Sequence, residues 1–128
     1  MTSSTDDKQQ IGLTSDGAKA LERLMREGTF ATEGDAYKFS IAYALATERE
    51  PADAPAGGYQ TKFNASGGLD RDGAVRDLVV LLRPEDSARP YATAEKLAEV
   101  GVRSVAEMLE TNVGLAEIVR QASEQQVS

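Results

Sequence analysis

The sequence predicts a mainly α fold: a strand-helix-helix unit on the N-terminal side, then a helical C-terminal part with a candidate second short strand. Three observations carry this. Apolar residues recur at helical spacing in several separate segments, capping residues stand before those segments, and glycine or proline closes them. Alternation of the strand kind is confined to two short stretches.

In chain order, residues 1–9 are small and polar and read as a flexible arm. Residues 10–121 read as a single helical domain, made of a strand-helix-helix unit (10–48), a loop (49–58) and a helical part (59–121), with 122–128 as a flexible tail. Ile11 and Leu13 alternate with Gln10 and Gly12 as a very short strand. Thr14 or Ser15 caps a first helix with Leu21, Leu24 and Met25 on one face, Lys19, Arg23 and Arg26 toward the other, and Gly28 as its closing residue. Thr32-Glu33-Gly34-Asp35 resembles a capping box and opens a second helix to about Thr47. That helix carries Tyr37, Phe39, Ile41, Tyr43 and Leu45 among alanines, with apolar groups on nearly every side, so it needs cover from neighbours or from a second chain.

Tyr59, Thr61 and Phe63 alternate as a second short strand, and Gly67-Gly68-Leu69-Asp70 leads into a helix with Val75, Leu78, Val79 and Leu82 as a buried stripe, stopped by Pro84. Pro90 starts a helix that Gly101 is expected to close, and Ser104 with Glu107 forms a capping box for another. A break near Asn112 to Gly114 precedes Leu115, Ile118 and Val119.

Composition narrows the chemistry. Without cysteine there is no disulfide or thiol chemistry; without histidine the usual zinc sites and His-based triads are excluded. The opening MTSSTDDKQQ is polar and no run approaches the roughly 18 apolar residues of a membrane span, so the expected setting is cytoplasmic. Asp70, Asp72 and Asp77 open like a calcium loop, but Ala74 and Leu81 occupy its fifth and twelfth positions; they read as helix-start carboxylates. Glu48, Glu50 and Asp53 read as a solvated acidic loop. The glycine pairs lack the lysine and hydroxyl of a phosphate loop, and Ser40 and Ser66 lack an activating base. No enzyme, metal or cofactor is expected.

Twenty-one acidic residues against 14 basic give a net charge of −7, which opposes binding nucleic acid by charge alone. A local basic face on Lys8, Lys19, Arg23 and Arg26 remains compatible with phosphate contact, because charges are screened beyond about 8–10 Å.

Residues 8–46 resemble ribbon-helix-helix proteins in their order of strand, helix, capped turn and helix. That resemblance implies two chains pairing their strands, Lys8, Gln10 and Gly12 on the DNA groove side with Ile11 and Leu13 inward, and phosphate held at Thr32 to Gly34. Gly12, which offers no reading side chain, and the acidic pair Glu33 and Asp35 depart from that family's pattern. A longer stretch, GTFATEGDAYKFSIAYALA followed by PYATAEKLAEVGVRSVAEML, is similar to small accessory proteins of bacterial DNA phosphorothioation (Dnd) systems. It carries Phe30, Thr32 and Asp35 at the step into an alanine- and aromatic-rich helix, and Glu95 to Gly101 as the later helix ending.

The resemblance implies a non-enzymatic helper in DNA modification or antiphage defence. The expectation is therefore a homodimer or higher homo-oligomer formed through Tyr37, Phe39, Ile41, Tyr43 and Leu45, touching DNA through Lys8, Gln10, Lys19, Arg23, Arg26 and Thr32 and assisting a larger defence-system protein. The alternatives are an acidic adaptor that docks a basic face of a larger enzyme, and a ribbon-helix-helix-like transcriptional regulator.

Overall fold

The computed structural model describes residues 7–127 and is mainly helical, with a two-stranded antiparallel sheet near its N-terminal side. Strand β1 (Gln10–Leu13) leads into helices α1 (Ser15–Met25) and α2 (Glu33–Ala46). A 3-10 turn (Pro51–Asp53) precedes strand β2 (Gln60–Asn64), a π-helical turn (Ala65–Leu69) and helix α3 (Ala74–Leu82). A second 3-10 turn (Pro84–Asp86) then leads to helix α4 (Pro90–Glu110), and helix α5 (Leu115–Val127) follows.

Local chemistry sets these ends. The Thr14 hydroxyl accepts from Gly17 N–H at 3.1 Å and the Thr32 hydroxyl from Asp35 N–H at 3.0 Å, so both expected threonine caps form. Gly28 takes a φ of 76° two residues past the C-cap of α1. Asp70 starts α3 by accepting the N–H groups of Val75 and Arg76 at 2.9 and 3.0 Å, as a helix-start carboxylate should.

The expected arm is anchored where it is described. Asp7 accepts from Tyr91 and Ala92 N–H at 2.9 and 3.0 Å, capping α4 from the far end of the sequence, while Pro90 supplies a first helical residue with no N–H to satisfy. Residues 1–6 of that arm lie outside the described residues, as does Ser128 of the expected tail. The rest of that tail belongs to α5, which packs Ile118 and Ala122 into the core.

Helix α4 is the axis of the molecule, flanked by β1, α1, α2, α3 and α5. Two helices were expected here, divided at Gly101; one continuous helix forms instead. A Cβ at 101 would stand 2.0 Å from the Ser40 carbonyl oxygen of α2, so Gly101 marks the closest approach of two helices rather than an end. Glycine inside a helix costs about 0.5–1 kcal/mol, and close packing against α2 offsets it. Ser104 and Glu107 consequently lie mid-helix, where no capping box is needed.

This packing also corrects the account of α2. Tyr37, Ile41, Tyr43 and Leu45 are buried inside their own chain, and half-buried Phe39 packs against the rings of Phe30 and Tyr43 at 5.2 and 6.5 Å between centroids. Helices α1, α3, α4 and α5 enclose α2, so the five residues assigned to self-association already have their cover. The buried stripe expected on α3 is corrected as well: Val75 and Val79 are buried, Leu78 is half-buried and Leu82 is exposed.

Candidate functional site

Both edges of β1 are occupied. One edge pairs antiparallel with β2, in the register Gln10 with Asn64 and Leu13 with Gln60 and a bulge after Ile11. On the other, α4 presents Glu95 and Glu99 one helical turn apart. Gly12 N–H donates to Glu95 Oε2 at 2.9 Å, Thr14 N–H to Glu99 Oε1 at 3.0 Å, and the Thr14 hydroxyl to Glu99 Oε2 at 2.6 Å. Tyr37 OH donates to the Gly12 carbonyl at 2.9 Å. Buried carboxylates require such partners, and two cations complete them: Lys8 Nζ lies 2.6 Å from Glu95 Oε1, and Arg103 Nε 2.6 Å from Glu99 Oε2. Two glutamates thus do for this strand edge what a third strand would do.

That arrangement corrects what the ribbon-helix-helix resemblance implied. A ribbon shared between two chains needs a free β1 edge, and here neither edge is free. Ile11 and Leu13 do point inward. Gly12, however, is buried rather than facing a groove, because a Cβ there would stand 1.7 Å from the Gln60 carbonyl oxygen.

The expected DNA-contacting residues divide. Lys8 is committed to Glu95 and lies 5.8 Å above the Tyr59 ring. Arg23 is held at 2.6 Å by both Glu27 and Glu110, and these hydrogen bonds raise its pKa. Thr32 is committed to its cap. Gln10, Lys19 and Arg26 are exposed, Gln10 at the start of β1 and the two cations on or just beyond α1. Asp70 accepts two backbone N–H groups and the Tyr91 hydroxyl at 2.9 Å, which occupies it as a structural acceptor.

Two buried phenols, Tyr37 and Tyr91, and the half-buried Tyr59 have raised pKa values. Burial, reinforced by Glu95 and Glu99, pushes the Tyr37 hydroxyl well above the usual phenol range. Burial and then Glu99 and Glu95 push Tyr59 up to about 12. Burial and the hydrogen bond to Asp70 push Tyr91 up to about 12.

The outward face of α3 differs from everything else described. Val80 is 36% exposed, Leu81 75% and Leu82 47%, and the remaining large exposed apolar side chain among the described residues is Val119 on α5, at 46%. Residues 78–82 form an unbroken apolar run inside a helix of nine residues. A helix can bury only one face against a core, so a run that goes round the helix must leave some of it in water. Leu82 also borders a hollow of about 300 Å3 with Leu45, Glu48, Arg49, Glu50 and Arg83. The sequence signal for this face is that uninterrupted run, which a single buried stripe does not account for.

No protein-family model matches the chain, and no curated protein or solved structure matches it significantly. Among the described residues, no helix is long and apolar enough to cross a membrane.

Proposed function

We propose that this chain is a non-enzymatic, acidic adaptor that docks onto a larger protein through the outer face of α3. The observation that carries the reading is the exposure of Val80, Leu81 and Leu82 side by side on one helix, in a molecule whose other large apolar residues are mostly packed away. Contiguous exposed apolar side chains mark interaction surfaces, whereas scattered ones do not. The net charge of −7 favours encounter with a basic partner over DNA. Capture of Lys8 and Arg23 by carboxylates weakens the case for direct phosphate contact further. The similarity of the second-helix and later-helix segments to phosphorothioation accessory proteins supports a partner that modifies or cleaves DNA.

The test compares two tagged forms recovered from native cells. The parent chain should retain a partner protein that Leu81→Asp loses, with both forms equally folded. Titration of labelled duplex at low and moderate salt decides the direct DNA reading. The adaptor reading expects no binding at moderate salt, and tight, steeply salt-dependent binding would favour the DNA contact instead.

A further inference from the structure

Helix α5 packs on α2 and α4, and its attachment differs from that of the elements before it. Its polar side chains serve the helix itself: Arg120 pairs with Glu117 and Glu124, and Gln121 Nε2 donates to Glu117 at 3.1 Å. Pairs of this spacing support a helix whether or not it is docked. Earlier elements are tied to one another by charge, as Arg23 of α1 is to Glu110 of α4 and as Glu95 and Glu99 of α4 are to Gly12 and Thr14. What docks α5 is an apolar stripe at i, i+3 and i+7, in which Ile118 and Ala122 are buried and Leu115 is half-buried.

The seam under that stripe is loosely filled. A hollow of about 160 Å3 lies where Phe39, Ala42 and Tyr43 of α2 face Val119 and Ala122 of α5. Side chains that line a gap forgo the contacts a filled seam would give. The connection from α4 leaves room for movement, since a Cβ added at Gly114 would meet nothing within 4 Å. We propose that α5 is a latch that opens as a unit while β1 to α4 stay folded. Opening uncovers a helix-receiving groove built of Phe39, Tyr43 and Met108, whose ends are joined where the Tyr43 hydroxyl donates to Met108 Sδ at 3.9 Å. The occupant of this groove is α5 of the same chain, so the closed latch is an autoinhibitory contact. A short tether keeps α5 at about millimolar effective concentration, and a free helix of the same sequence competes poorly until the stripe is broken. The latch does not depend on the adaptor reading, because α3 takes no part in it.

Two measurements on the full chain test this. Native-state hydrogen exchange in low urea should show the hydrogen-bonded amides of α5 exchanging about a hundredfold or more faster than those of α4, with rates that hardly change with urea. Equal rates with equal urea dependence would mean that α5 opens only with the whole molecule, and would overturn the latch. Ile118→Asp should release α5 and leave α4 protected to within about tenfold of the parent; loss of α4 protection in step with α5 would also overturn it. The second measurement titrates a labelled synthetic peptide of residues 113–128. Ile118→Asp chain should bind it about tenfold or more tighter than the parent, whose own helix fills the groove. The same peptide carrying Ile118→Asp should bind neither chain. Equal binding by parent and variant, or no binding by the variant, would overturn the groove.

Discussion

Gly17 and Glu99 depend on one another. A Cβ at 17 would lie 2.2 Å from Glu99 Oε1, so the glycine is what lets the carboxylate reach Thr14. Gly17→Ala should cost about 1–3 kcal/mol by overpacking. Glu99→Ala should cost about 3 kcal/mol, because it strands the Thr14 N–H and hydroxyl. In the Glu99→Ala background the three atoms nearest that Cβ are gone, so the alanine at 17 should cost less there than in the parent, with helix propensity worth about 0.5–1 kcal/mol in its favour. Urea unfolding of the four proteins checks the cycle, and additive costs would contradict the contact.

The tyrosines give a second test at this scale. Phenols whose pKa is raised by folding keep their protons above pH 10, where the unfolded chain begins to lose them. Their stabilising contribution is therefore complete below about pH 10 and declines as pH rises toward about 12. Absorbance at the phenolate band should show Tyr59 and Tyr91 ionising near 12 and Tyr37 ionising only with unfolding. Ionisation of all three near pH 10 in a folded protein would contradict the buried setting. Single residues were the least legible part of the sequence. Thr14, Thr32 and Asp70 could be assigned because their partners lie within a few positions. Glu95 and Glu99 could not, since the strand groups they hold lie more than 80 residues away.

At the level of elements, local signals located both strands and most helix starts, while Gly101 misled. Glycine is a stop signal in sequence, and only tertiary contact reveals that this one admits the Ser40 backbone. Gly101→Val should force α2 and α4 apart and cost about 3 kcal/mol or more, since the blocking atom belongs to the backbone and cannot rotate away. A midpoint within error of the parent would show that the two helices do not approach as described. Helix α3 predicts the opposite. Leu81 is three-quarters exposed, so Leu81→Asp should change stability by no more than about 0.5 kcal/mol while removing partner binding. The two apolar-rich helices were ranked in reverse by their sequences. The α2 pattern, apolar on nearly every side, is absorbed by α1, α3, α4 and α5, whereas the shorter run on α3 has a core on one side only.

For the molecule as a whole, α2 gives no reason for a second copy, because its own chain already encloses it. The isolated chain should scatter light as a monomer at micromolar concentration. The mainly helical class was legible because it depends on periodicity and caps, whereas the docking face required knowing which helix the core leaves uncovered. The most direct measurement places a photo-crosslinking residue at position 81 in native cells, with position 119 as the control. The account predicts a crosslink from 81 to a different protein and none of that kind from 119. A crosslink from 81 to another copy of this chain, or to DNA, would contradict it.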